Sequence, residues 1–178
     1  MNTRRASGAA RQVAAACVLG AAVVSAAAQS PAAPVLSPPI AGSGAGYHDP
    51  RSAFKPLQER EGVVSWALLS SVTAKTEKNK IVPVFPPAVQ ALNNKPVKVQ
   101  GFMLPLEPGE RQFHFLLSAV PTTCSFCVPA GPEGLIEVRT SAPVKYTVDA
   151  ITVQGRMAVL KDDKYGLFYR VVDAVPAP

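Results

Sequence analysis

From Lys95 onward the apolar side chains fall on alternate positions, a period that belongs to strands with one dry face and one wet face. Val97, Val99, Gly101 and Met103 share one face of a first strand, with Lys98 and Gln100 on the other. The turn Glu107-Pro108-Gly109-Glu110 leads into a second, where Phe113, Phe115 and Leu117 alternate with Gln112, His114 and Leu116. Residues 135–139 make a third. Ile151, Val153, Gly155, Met157 and Val159 line one face of a fourth, and residues 167–172 form a fifth beyond the polar turn Lys161-Asp162-Asp163-Lys164. The first and fourth strands echo one another: Val99-Gln100-Gly101-Phe102-Met103 returns as Val153-Gln154-Gly155-Arg156-Met157. A glycine inside a strand marks a bulge or tight bend, the device by which a strand coils around a barrel. The expected fold is therefore mainly β: a small five-stranded antiparallel barrel of the oligonucleotide/oligosaccharide-binding (OB) type. It is OB-like rather than standard, because residues 141–147 are too few for the helix that often joins the third and fourth strands. A six-stranded sandwich is the alternative.

Ahead of the strands lie one or two short helices. Val63, Val64, Trp66, Leu68 and Leu69 make an apolar segment of one or two turns, with Trp66 placed to cap a barrel end. Residues 81–85 are strand-like, but Pro83 removes a ladder donor and demotes them to an edge. Residues 86–94 read as a helix opened by proline and closed by Asn93-Asn94, with Val89 and Leu92 on one face.

The N-terminus carries a different message. Arg4, Arg5 and Arg11 precede an apolar run over residues 13–24, and Ala26-Ala27-Ala28 follows it. Basic, apolar and small-residue segments in that order make a secretory signal peptide, and the run is too short to span a bilayer. Residues 1–28 are the leader, cleaved after Ala28. Residues 29–59 are a Pro/Ala/Gly-rich disordered tether in which His48 is solvated, and residues 60–178 are the barrel domain. The residues after Arg4-Arg5 lack the large apolar side chain of a twin-arginine signal. Cys17 has too little apolar sequence before it to be a lipidation site. The expected location is the periplasm, with no transmembrane segment in the mature chain. Losing the leader takes Lys plus Arg from 18 to 15 against 12 acidic residues, so the formal charge falls from +6 to +3. The remaining basic residues form no stripe, which argues against a nucleic-acid partner. Lys75, Lys78 and Lys80, interrupted by Glu77, suit a solvated loop.

Cleavage leaves two cysteines, Cys124 and Cys127, in Cys-Ser-Phe-Cys between Pro121 and Pro132. Three chemistries compete for them. A disulfide suits an exported protein, yet it would close a ring of four residues and contribute only about 2 kcal/mol through loop entropy. Two thiolates three residues apart can clamp zinc or copper, the soft-ligand metals, with His114 as a possible further ligand. Met103 and Met157 could assist Cu(I), although both suit the core better. Thiol–disulfide exchange needs a cysteine at a helix start, and Pro129, Gly131 and Pro132 forbid the helix. No phosphate loop, H-E-x-x-H or G-x-S-x-G occurs, the chain has two histidines, and Asp162-Asp163 between lysines suits a surface hairpin. No residue qualifies as catalytic and no cofactor is required.

Taken together, Trp66-x-x-Leu69, Phe85-Pro86-Pro87-x-Val89-x-Ala91-Leu92-Asn93, Val97-x-Val99-x-Gly101-Phe102-Met103-x-Pro105-Leu106, Phe115-Leu116-Leu117 and the cysteine–proline loop resemble the bacterial domain-of-unknown-function 3299 family. The likeness runs over residues 63–175. It implies an exported protein or lipoprotein folded as a small periplasmic β-barrel with no established activity. It also implies company with ABC-type permeases and metal-handling genes. Many members carry one cysteine, then a histidine and a longer proline run. Here Cys127 stands near the histidine's place, and Ala130-Gly131-Pro132-Glu133 replaces part of the run. An alternation of Cys and His implies metal ligation, since His can replace Cys as a ligand but not in a bridge.

The expected function is thus a non-catalytic accessory or binding protein. Its working surface is the loop at residues 121–132, which would bind a thiophilic metal or face an inner-membrane transporter or another envelope protein. A thiol–disulfide oxidoreductase is one alternative. An OB-type ligand-binding module with a purely structural disulfide is another; exposed aromatics on the face of the second and third strands would mark it, and the polar face of the second strand (Gln112, His114, Leu116 and Ser118) carries none, which argues against it.

Overall fold

The computed structural model describes residues 46–77 and 80–178; the leader and the tether as far as residue 45 lie outside the described residues. Five strands close into a barrel: β3 (Pro96–Pro105), β4 (Arg111–Ser118), β5 (Leu135–Lys145), β6 (Ala150–Val159) and β7 (Tyr169–Pro176), in the order β3-β4-β5-β7-β6. A separate hairpin precedes them, β1 (Thr73–Glu77) against β2 (Lys80–Val84). Two single-turn helices flank it, α1 (Trp66–Leu69) and α2 (Pro87–Gln90). The OB-like barrel and the short helices are those the sequence predicts.

One detail of the expectation is corrected. β5 and β7 run parallel, so the barrel is mixed rather than wholly antiparallel. After β5 the chain crosses to pair β6 with β3. β7, the hairpin partner of β6, then lies beside β5 in the same direction. A period of two shows which face a residue occupies, but not which neighbour its strand will find.

The echoed pentapeptides turn out to be partners. Val99 stands opposite Val153 and Val97 opposite Gly155. Gly155 sits where the β6–β7 register slips between Gln154 and Arg156. A Cβ there would stand 2.6 Å from Val171 Cγ1 and 2.7 Å from the Val172 carbonyl oxygen. Gly101 adjoins Phe102, which pairs with both Ala150 and Ser118 as β3 leaves β6 for β4. Phe115, Leu117, Ile136, Val138, Val153, Met157, Tyr169 and Val171 are fully buried between the strands, and Met103 is nearly so. Each such side chain removed from water stabilises the fold by about 2 kcal/mol.

Helix α1, capped where the Ser65 hydroxyl accepts from Leu68 N at 3.3 Å, adds Leu69 to this core, and α2 adds Val89. The Tyr169 hydroxyl donates to Leu69 O at 2.6 Å, and Trp66 Nε1 donates to Gln100 O at 2.8 Å. These two bonds seat the helical layer on the barrel. No helix among the described residues is long and apolar enough to cross a membrane.

Three local expectations are corrected. Lys75 and Lys80 belong to the β1–β2 hairpin rather than to a loop. The helix at α2 is a single turn that stops at Gln90 instead of running to Asn94. In β4 the alternation slips at a bulge between Gln112 and His114. Gln112 is fully buried, donating through Nε2 to Glu107 O at 3.1 Å and Gly109 O at 2.7 Å, whereas Phe113 is 49% exposed. One extra residue reverses the face of everything before it.

Candidate functional site

Between β4 and β5 the chain crosses residues 121–132 without forming a strand. Pro121, Pro129 and Pro132 supply no amide donors, and the segment settles into turns before a 3₁₀ turn at Pro132–Gly134. Cys124 N donates to Pro121 O and Cys127 N to Cys124 O, both at 3.3 Å. This winding brings the two Cα atoms to 5.4 Å, and the sulfurs are joined in a disulfide. Both cysteines are half-buried, while Phe126 is 50% and Val128 41% exposed. The loop thus presents an apolar tip on a covalently closed ring.

A second segment clasps that ring. Gly46 N donates to Val128 O at 2.8 Å, and Val128 N donates to Tyr47 O at 3.0 Å. The Arg51 guanidinium lies 4.4 Å from the centre of the Phe126 ring. Arg51 is held by Asp49, donating through Nε to Oδ1 and through Nη2 to Oδ2, each at 2.9 Å. Those side-chain bonds, with the Arg51 backbone amide, pull the Asp49 carboxyl down to about 2. Residues 46–51, assigned to the tether, therefore form a strap hydrogen-bonded to the domain. His48 is half-buried rather than free in solvent: its Nε2 donates to Phe54 O at 2.9 Å and its ring lies beside Phe102.

Joined to one another, the two sulfurs offer no thiolate to a metal or to a substrate. Among the described residues no α-helix follows Cys127, only the 3₁₀ turn at Pro132–Gly134. Among the described residues, no group of three or more His, Cys, Asp or Glu side chains is placed to hold a metal ion.

His114, the sequence's further ligand, belongs to another constellation. It lies on the outer face of the barrel, where its Nε2 donates to Glu137 Oε1 at 2.8 Å. Glu137 is only 2% exposed, although it points away from the core between Ile136 and Val138. Arg139 Nε donates to its Oε1 at 2.9 Å, and Arg170 Nε to its Oε2. Arg170 also reaches Asp163 Oδ1 at 3.1 Å. Burial pushes the Glu137 carboxyl up, but the bonds from Arg170, Arg139 and His114 outweigh it and hold the group below its ordinary value. Asp163 is likewise lowered: burial opposes, while Tyr165 N, Leu167 N and Arg170 prevail. So Asp163 organises the β6–β7 turn and anchors Arg170, beyond the surface-hairpin role expected of it. Sequence reading missed Glu137 altogether. Its one local signal, a carboxylate between buried Ile136 and Val138, is common to any strand with a polar outer face.

A family model described as a protein of unknown function (DUF3299) matches residues 52–167. No curated protein matches. A crystal structure of a DUF3299 family protein from Pseudomonas aeruginosa PAO1 matches with 23% sequence identity and a TM-score of 0.41. That match covers 49% of this chain and 64% of the other, less than two thirds of its length.

Proposed function

We propose, for a chain that belongs to the DUF3299 family, a non-catalytic binding role in the cell envelope, with the disulfide-closed loop at residues 121–132 as the contact surface. One observation carries the reading: Phe126 stands out from a ring stiffened by its own covalent bond, with exposed Val128 one residue beyond it. An aromatic held rigid and half in water loses little conformational freedom on binding, the condition under which a single residue anchors an interface. The partner is another envelope protein, such as an inner-membrane transporter. The basic, apolar and small-residue order of residues 1–28 supports a periplasmic encounter, after cleavage following Ala28. Metal ligation by Cys124 and Cys127 would first require the bond between them to be reduced, so it is the weaker form of this role.

The test is a photo-crosslinking residue at position 125 in cells exporting the full chain. A discrete adduct with one envelope protein is expected, lost when Phe126→Asp is added. Absence of the adduct, or its survival in that variant, sinks the reading. Zinc or Cu(I) titration of the reduced protein bears on the metal form; affinity weaker than micromolar, or unchanged in C124S/C127S, removes it. Turnover in an insulin-reduction assay would instead favour the oxidoreductase.

A second reading is favoured by Phe113. The bulge places this aromatic at the surface of β4, the second barrel strand, beside His114. Surface aromatics there are what an OB-type ligand-binding module uses. Titration with charged and neutral oligosaccharides, comparing the native chain with Phe113→Ala, separates this reading from the first.

A further inference from the structure

The disulfide closes too small a ring to staple the barrel, whose strands close by their own hydrogen-bonded ladders. Its constraint is local, and what it constrains is the platform for the strap. Every contact just described between residues 46–51 and the loop lands inside the ring or one residue beyond it. Phe126, under the Arg51 guanidinium, lies between the two cysteines, and Val128, bonded to Gly46 and Tyr47, follows Cys127 directly. The bond is also reachable. Both cysteines are half-buried, while Thr122, Thr123, Ser125 and Phe126 around them are exposed. Accessible disulfides are the ones thiols exchange with, whereas structural ones resist.

We infer that Cys124–Cys127 is a modification site for a dithiol reductant, and that its reduction releases the strap at residues 46–51 from the loop. The inference rests on the reading of that loop as a contact surface and names its regulation. One thiolate of the reductant attacks one Sγ, forming a mixed disulfide and expelling the other cysteine as a thiolate, which takes up a proton. The second thiol of the reductant then resolves the mixed disulfide. The products are two cysteine thiols here and one disulfide on the reductant, a transfer of two electrons and two protons. Freed of its cross-link, the segment at 124–127 gains conformations in which Phe126 no longer lies under Arg51 and Val128 no longer faces Tyr47. The strap then binds an ordered platform only part of the time. Gly46 and His48 also line a cleft of about 170 Å³ against Trp66, Gln100 and Val120, so release opens that wall as well.

Amide exchange at Gly46 and Val128, whose N–H groups make the two strap bonds, reads the release directly. In the full chain treated with dithiothreitol, both should exchange faster by on the order of tenfold, while the ladder amides of β3 and β6 stay unchanged. C124S/C127S should reproduce the fast exchange without reductant. Phe126→Ala should accelerate Gly46 with the disulfide intact, because it removes the platform by another route. Unchanged exchange after complete reduction overturns the inference, as does a disulfide that yields to dithiothreitol only when the barrel unfolds. The crosslink at position 125 keeps the two claims apart. An absent adduct with normal strap release ends the docking reading alone, and a normal adduct with an unmoved strap ends this one alone.

Discussion

The cysteine loop and the Glu137 cluster make opposite demands on a reader of the chain. The loop's chemistry sits within four consecutive residues, and its prolines state beforehand that no helix can follow. The cluster draws His114 from β4, Glu137 and Arg139 from β5, Arg170 from β7 and Asp163 from the β6–β7 turn. Only the Glu137–Arg139 pair is local. His114 reaches Glu137 across the antiparallel β4–β5 pairing, and Arg170 reaches it because β7 lies parallel to β5 with Arg170 opposite Glu137, registers no local period reports. The loop therefore carries chemistry with little stability, and the cluster carries stability with chemistry hidden inside it.

Glu137→Leu should be the most damaging change. It leaves Arg170, four-fifths buried, with Asp163 as its single acidic partner, and strands His114. Breaking a buried pair from one side costs about 3 kcal/mol, measurable as a fall in the urea midpoint at pH 7. A loss below about 1 kcal/mol would mean that the cluster is a surface network of little energetic consequence. The same group predicts an acid limb. Because the folded-state pKa of Glu137 is depressed, its stabilisation is complete above the ordinary carboxylate range and drains as pH falls through that range towards the folded value. Asp163 acts with the same sign. Urea midpoints taken from pH 7 down to pH 3 should drop, and the drop should be shallower in Glu137→Leu.

Next in size is Gly155→Ala. Its Cβ would meet Val171 and the Val172 carbonyl across the β6–β7 slip, with backbone that cannot swing aside. A cost of about 2 kcal/mol is expected by thermal or urea unfolding. This position shows how far the sequence could be read. The repeated V-Q-G-x-M pattern identifies the glycine as a bend, and the structure adds that the two repeats are mutual partners. Phe113 shows where reading stops. A bulge inserts a residue that a count of two cannot detect, so Gln112 turns inward to hold the Glu107–Gly109 turn and Phe113 turns out. The strap fails to announce itself for a third reason. Gly46, Tyr47 and Arg51 lie in a stretch without apolar periodicity, and backbone bonds to Val128 and a cation over Phe126 leave no pattern in composition.

The smallest global effect belongs to the most conspicuous motif. C124S/C127S removes a cross-link that spans a ring of four residues, for which loop entropy allows at most about 2 kcal/mol. The residues it orders are partly exposed and detach with few buried contacts, so most of that energy acts on local opening rather than on unfolding. The unfolding free energy from urea titration should fall by about 1 kcal/mol or less, with the slope of the transition unchanged. Limited proteolysis should nevertheless cut between residues 46 and 60 several-fold faster, since strap and loop loosen together. If the double variant instead unfolds as readily as Glu137→Leu, the bridge is a staple for the whole barrel, and the division of labour between loop and cluster is wrong.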